Sequence, residues 1–263
     1  MSAMLAAETF DDWRAQVRGL LARGVPPHEA QWQDGGGHGD LLDGTAAATT
    51  ELHATESVAC ARSQVRLPRK LVEMLEQAAC CRQADRWAFL YRVVWRWQHG
   101  EHDVASAADA DGARLHAMVK AVRREEHDMH AYVRFRERPD ADGPPRFVAW
   151  FEPAHDVLPQ VARHFVARMG KLTWMIATPD ASALWDGETL ALTGPLLQGP
   201  ADIEDAGEAL WLTYYRSIFN PARLNAGIMN SHVRARFWKH MPEGSQVPAM
   251  VADAATGARR TGQ

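Results

Sequence analysis

Two histidines three positions apart, His127 and His130, are the residues of this sequence best suited to acid–base or metal chemistry. Two imidazoles at that spacing on a helix can face one ion, and Glu126, His155 or His164 could supply a further ligand. The structural alternative is that His127 flanks a helix end while His130 already begins a strand, so that the rings point apart. We favour the structural interpretation and predict neither a metal nor another cofactor. The histidines stay candidate catalytic residues under the alternative.

Basic residues surround the two histidines. Neutralising phosphates is the main sequence-independent source of affinity for nucleic acid. Tyr132 and Trp150 could add rings for base stacking. The same charges could instead form a solvated helix face that pairs with nearby carboxylates such as Glu125, Glu126, Asp128 and Glu137. The predicted phosphate-contacting residues are Lys120, Arg123, Arg124, Arg134 and Arg136.

A second basic segment lies near the end of the chain, where residues 209–242 contain no aspartate or glutamate. Within it, Asn220 is a natural helix end and Pro221 a natural start of the next turn. Asn220 and Arg223 so placed could bind a phosphate or a base, and Arg236 belongs to the same positive segment. The structural alternative is that Asn220 closes the helix and Arg223 pairs with a carboxylate. If the two basic segments meet in space, they form one positive patch.

Composition excludes several classes of protein. The chain has 263 residues, 46% of them hydrophobic, a net charge of −4 and three cysteines without metal-ligand spacing. It is long enough for a full core, and a disulfide framework is not expected. The amino terminus lacks a signal pattern and no segment is apolar enough for a membrane helix, so we expect a cytoplasmic protein without a membrane partner. No phosphate-binding loop, dinucleotide fingerprint or serine-hydrolase elbow occurs.

The elements that must position these residues follow from hydrophobic spacing. A first helix starts at Asp11 or Asp12 and ends near Arg23. Two helices, one starting at Pro68 and one near Asp85, are predicted to form a hairpin. A third helix covers about 111–128. After this helix, polar and apolar residues alternate with a period of two. This alternation predicts a β-hairpin with strands around residues 130–136 and 146–151. A helix over 156–170, three strands over 173–192 with a tight turn at Asp186-Gly187, and helices over 203–241 complete the chain.

These elements predict an α+β fold with helices around a small, mostly antiparallel sheet built from hairpins. Residues 1–56 carry nine acidic and three basic side chains, and residues 1–32 are predicted to form an acidic helical arm. Residues 33–64 lack aromatic residues and helical period, which is typical of a flexible linker or loop. Residues 65–243 are predicted to form a single core domain, and residues 244–263 a mobile tail.

Four long segments carry a resemblance to a known family. They are KAVRREEHDMHAYVRFRE (120–137), RFVAWFEPAH (146–155), LWDGETL (184–190) and YYRSIFNPARLN (214–225). They resemble a bacterial family of unknown biochemical function whose members are labelled probable DNA-metabolism or DNA-repair proteins. The family accompanies a radical-SAM protein and is found fused to uracil-DNA-glycosylase-like domains. In this chain no such domain follows, and Val233–Trp238 replaces a Met-Pro-Lys-Lys-Tyr-Trp-like stretch of the family.

The residues and the resemblance together support three hypotheses. The leading one is a DNA-repair or DNA-metabolism accessory that binds DNA and positions it for a radical-SAM or uracil-DNA-glycosylase-like partner protein, as the resemblance implies. The second is an enzyme that acts on damaged DNA through His127 and His130. The third is a protein-interaction module in which the acidic arm acts as a tether.

Overall fold

The computed structural model describes residues 4–34, 66–138, 143–197, 199, 237, 241, 244 and 246–255. The chain divides into two compact units, Met1–Arg123 and Arg124–Gln263. The division falls inside the long helix α4 (Ala110–Tyr132). Each unit is described by itself.

The first unit begins with a β-α-β segment. Strands β1 (Met4–Ala7) and β2 (Gln31–Asp34) pair in parallel, and helix α1 (Phe10–Ala22) connects them. Thr9 is the N-cap of α1: its hydroxyl accepts a hydrogen bond from the Asp12 backbone N–H, and the Asp12 carboxylate accepts from the Thr9 backbone N–H. The predicted cap at Asp11 or Asp12 is wrong because these acidic residues occupy the first turn, where a carboxylate closes a capping box.

Helices α2 (Arg69–Ala79) and α3 (Arg86–Gln98) follow and contact each other, as the predicted helical hairpin requires. The predicted acidic arm packs on α3. The Trp13 indole N–H donates to the Trp87 carbonyl over 3.1 Å, and the two rings stack. The buried Tyr91 hydroxyl donates to the Val25 carbonyl, and burial raises the pKa of Tyr91 to about 12. These buried hydrogen bonds hold the β-α-β segment on the hairpin.

A charged network fixes the start of α4. The Asp109 carboxylate accepts hydrogen bonds from the backbone N–H groups of Asp111 and Gly112. The Arg96 guanidinium donates to both Asp109 oxygens over 2.9 Å and also pairs with Glu101. The Arg96 hydrogen bonds, together with those from the helix backbone, lower the pKa of Asp109 to about 2. The helix therefore starts on a carboxylate that is ionised at neutral pH.

The second unit contains a five-stranded sheet in the order β3-β4-β5-β6-β7. The β4–β5 pair is parallel and is joined by helix α5 (Leu158–Met169), whereas the other three pairs are antiparallel. One face of the sheet packs Val148, Trp150, Met175 and Ala177 into a hydrophobic cluster. The strands are β3 (Arg136–Glu137), β4 (Phe147–Trp150), β5 (Trp174–Ala177), β6 (Ser182–Trp185) and β7 (Leu190–Thr193).

The α+β class is confirmed, with two differences from the predicted elements. The sheet is mixed rather than built from hairpins alone, because β4 and β5 are joined by a helical crossover. Helix α4 also continues to Tyr132, so the strand predicted around residues 130–136 is reduced to Arg136–Glu137. Met129 and Val133 are both buried at i, i+4 spacing, which keeps the helical period going where the sequence also alternates.

Several predicted segments lie wholly or largely outside the described residues. They are the linker after Asp34, the helices over 203–241 and the last eight residues. Helix α6 (Val247–Ala255) occupies part of the segment predicted as a mobile tail, and the predicted domain boundaries stay predictions. None of the described helices is long and apolar enough to cross a membrane.

Gly112, in the first turn of α4, offers a stability test of the network. A Cβ on Gly112 would lie 1.8 Å from the Ser106 carbonyl oxygen, so Gly112→Ala must displace the turn before α4. We expect a loss of about 1–3 kcal/mol in the free energy of unfolding.

Gly19→Ala is the control, because its Cβ would meet only the Arg23 side chain at 3.6 Å. Alanine in place of glycine in a helix interior stabilises by about 0.5–1 kcal/mol. Urea unfolding measures both, and equal effects would contradict the steric argument.

Candidate nucleic-acid interface

Helices α2 and α4 enclose a groove of about 700 Å³ in the first unit, which we call the α2–α4 groove. Met74 and Val119 are buried and form its apolar floor. The polar lining is mostly basic. Helix α2 contributes Arg69, Lys70 and Glu73, and helix α4 contributes His116 and Arg123.

One predicted residue, Arg123, lines this groove, and a second, Lys120, lies on the same side of α4. Lys120 lies four residues after His116 and three before Arg123, so the three side chains share one side of α4. Lys120 and Arg123 are exposed. The Arg123 Nε donates to the Gln77 amide oxygen of α2 over 2.7 Å. This bond ties the guanidinium to α2, and the amide partner does not neutralise its charge.

Glu73 is the one carboxylate among the described residues that line the groove. It pairs with Arg69 one turn earlier over 2.8 Å, and both side chains are largely exposed. Lys70 is exposed beside this pair, and His116 Nε2 lies 3.1 Å from the Ala105 carbonyl oxygen. The groove therefore has an excess of positive charge on two rigid helices, an arrangement that suits a phosphate backbone.

The predicted basic residues of the second unit have internal partners. Arg124 pairs with the buried carboxylate of Asp128 over 3.0 Å, as the alternative of a helix face with ion pairs expected. Arg134 donates to the Ala131 carbonyl over 2.8 Å and also to the Val133 carbonyl, so that it caps the end of α4. Arg136 lies half-buried on β3. None of the three is among the residues that line the α2–α4 groove.

The two predicted histidines both lie on α4, because this helix extends beyond them. The prediction that His130 begins a strand is therefore wrong. His127 is exposed, whereas His130 is half-buried and stacks on His164 of α5 with ring centroids 4.1 Å apart. Phe165 contacts both histidine rings edge-on. The arrangement is an aromatic cluster.

The surroundings keep His130 neutral. Burial lowers the pKa of His130, and the positive charges that His164 and His127 can carry lower it further. Its Nε2 atom is buried without a hydrogen-bond partner in the described part of the chain. A neutral imidazole of this kind can accept a proton or a hydrogen bond. Among the described residues, no group of three or more His, Cys, Asp or Glu side chains is placed to hold a metal ion.

The predicted stacking residues are engaged inside the second unit. Tyr132 and Phe151 both stack on Phe237, with centroids 5.2 and 5.1 Å apart. Trp150 is 7% exposed, and its indole N–H donates to Glu152 over 3.2 Å. Neither ring is presented as an open platform for a base.

The remaining predicted residues, Asn220, Arg223 and Arg236, lie outside the described residues. Sequence reasoning missed Arg69, Lys70 and His116. Arg69 and Lys70 are visible as a basic pair directly after Pro68, and His116 stands one turn before Lys120. The sequence does not show that α2 lies beside α4, and this neighbourhood is what brings these residues into one groove.

Comparisons with known proteins give one result. A family model described as a domain of unknown function, DUF4130, matches residues 84–243. Comparison with curated proteins and with solved structures finds no match. The matched span contains α3, α4 and the five-stranded sheet, and it includes His116, Val119 and Arg123 of the groove.

Because folding lowers the pKa of His130, this imidazole binds a proton more readily in the unfolded chain than in the folded one. The free energy of unfolding should therefore fall as pH drops from about 6.5, the ordinary value, towards the lowered folded value. His130→Gln should flatten this dependence, whereas His127→Gln, which removes only the smallest of the three contributions to the lowered pKa, should flatten it less. Urea unfolding from about pH 7.5 to 5 measures the slope. Identical slopes in wild type and His130→Gln would contradict the assignment.

Proposed function

The chain belongs to the DUF4130 family, whose description leaves the activity open, and on this premise we propose that it binds nucleic acid through the α2–α4 groove. In this proposal the protein is an accessory of DNA repair or DNA metabolism rather than the enzyme that performs the chemistry. The observation that carries it is the composition of the groove. Three cations and one imidazole surround an apolar floor, and the one described carboxylate already has a cation of its own.

The groove suits the sugar–phosphate backbone more than a base sequence. Arg69, Lys70 and Arg123 are exposed cations on helices, and Lys120 extends the same side of α4. Such residues release counterions when they neutralise phosphates, which provides affinity on any sequence. Met74 and Val119 offer an apolar contact that a sugar or an unpaired base could cover. Sequence specificity, if the pathway needs it, would come from a partner.

The repair context comes from the resemblance of the chain and not from the groove. Proteins of that family accompany a radical-SAM protein or precede a uracil-DNA-glycosylase-like domain. A protein that holds DNA without cleaving it would serve either companion by presenting the strand. We propose this positioning role for the chain, with the α2–α4 groove as its DNA contact.

A second candidate function rests on the histidine pair. His130 is kept neutral by burial and stacks on His164, so an imidazole able to accept a proton stands beside a second titratable ring. This arrangement favours an enzyme that uses His130 as a general base. Turnover of lesion-containing DNA by the wild type that is lost in both His130→Gln and His164→Gln would support it, and absence of turnover with intact DNA binding would remove it.

The proposed interface predicts a particular salt dependence. Labelled single-stranded and duplex DNA should bind the wild type with an affinity that falls as salt rises. Arg69→Ala/Lys70→Ala and Lys120→Ala/Arg123→Ala should each weaken binding and lower the slope of log affinity against log salt by roughly one to two, the value expected for one or two lost phosphate contacts. Fluorescence anisotropy over a salt series measures this.

The matched control is Arg163→Ala/Arg168→Ala. Both arginines are exposed on α5 in the second unit, and the substitution removes the same two charges. We expect wild-type affinity and slope for this variant. An equal loss in all three double variants would show that binding follows total charge, and no salt-dependent binding by the wild type would overturn the proposal.

A further inference from the structure

A second groove in the first unit lies on α1 and differs from the α2–α4 groove in character. It has a volume of about 450 Å³, and most of the residues that line it are apolar. Phe10, Val17 and Leu21 of α1 form one side, and Val72 and Leu75 of α2 form another. We call it the α1 groove. Of the residues that line it, Val94 alone lies within the family-matched span.

Three arginines line the apolar surface: Arg14 and Arg18 on α1, and Arg66 before α2. All three are exposed. Within the described part of the chain, none of them forms a hydrogen bond or an ion pair, in contrast to Arg92, Arg96 and Arg114, which all pair with carboxylates. No carboxylate is found among the described residues that line the groove. The groove therefore combines apolar depth with positive charge that no carboxylate of the described residues compensates.

We propose that the α1 groove binds an amphipathic helix of a protein partner that carries acidic residues beside its apolar stripe. The lining residues of α1 run from Phe10 to Leu21, which at 1.5 Å per residue is about 16 Å, or three helical turns. That length suits apolar side chains at i, i+3, i+4 and i+7 of a docked helix. Glutamates or aspartates flanking them would meet Arg14, Arg18 and Arg66 and set the orientation.

Two other occupants fit the groove less well. Nucleic acid would satisfy the arginines, but its phosphates would leave the half-buried Phe10, Leu21 and Val72 facing polar groups. Trp13 is 2% exposed, so its ring offers no stacking surface. A second copy of the chain in a two-fold contact would place the same arginines against each other. An acidic amphipathic helix satisfies both the apolar floor and the charges.

The test uses the full chain and three labelled designed helices of about 15 residues. One has leucines at i, i+3, i+4 and i+7 flanked by glutamates, the second has the same leucines flanked by lysines, and the third is a scrambled form of the first. We expect the glutamate helix to bind at least about tenfold more tightly than the other two, as flanking charges that meet three arginines should produce. Fluorescence anisotropy measures each affinity.

Charge reversal on the protein locates the site. Arg18→Glu should weaken binding of the glutamate helix severalfold, whereas Arg23→Glu should not, since Arg23 follows the same helix but does not line the groove. Arg14→Glu/Arg18→Glu should reverse the preference and bind the lysine helix. All these arginines are exposed, and circular dichroism checks that each variant keeps its helical content.

Several results would overturn the proposal. One is equal affinity for the glutamate and scrambled helices. Another is an equal loss in Arg18→Glu and Arg23→Glu, which would indicate diffuse attraction. Self-association in sedimentation that Arg18→Glu abolishes would assign the groove to a second copy. Competition between the glutamate helix and DNA that persists in Arg69→Ala/Lys70→Ala would assign it to nucleic acid.

Discussion

The residue at which α4 starts decides which of its side chains line the α2–α4 groove. One carboxylate, that of Asp109, fixes this start. Asp109 binds the first free backbone N–H groups of the helix, and Arg96 of α3 holds Asp109 in place. Each residue added to or removed from the start would rotate the helix by about 100°. His116 and Arg123 line the α2–α4 groove only in the observed phase. The close approach of Gly112 to Ser106 makes that start sterically selective as well.

The distribution of partners, rather than the number of charges, separates two kinds of arginine in the first unit. Arg92 and Arg96 bind carboxylates at the start of α4, Arg114 binds Asp85 at the start of α3, and removal of these pairs would disturb the fold. Arg14, Arg18 and Arg66 have no such partner among the described residues and lie against apolar surface. The first unit therefore has two grooves with arginines in their lining. The lining of the α2–α4 groove is mostly charged, whereas that of the α1 groove is mostly apolar.

The histidines show how a motif changes meaning in a packed structure. The spacing of His127 and His130 suggested either a shared ion or rings that point apart. The structure shows a third arrangement, in which α4 continues and His130 stacks on His164 of another helix. The helical period continues because Met129 and Val133 are buried together, and this burial outweighs the alternating pattern that predicted a strand.

By itself, the sequence determined the element types and most helix positions, because burial periodicity, Pro68, Asp85 and the Asp186-Gly187 turn are local signals. It also identified Lys120 and Arg123 as candidates, since their charge and helical spacing are local properties. Only the tertiary structure decided which cations face a groove, because that depends on α2 lying beside α4 and on α1 packing over α2 and α3. The parallel β4–β5 pair and the His130–His164 stack were likewise decided by the tertiary structure. Each joins residues far apart in the chain through packing, which no short segment encodes.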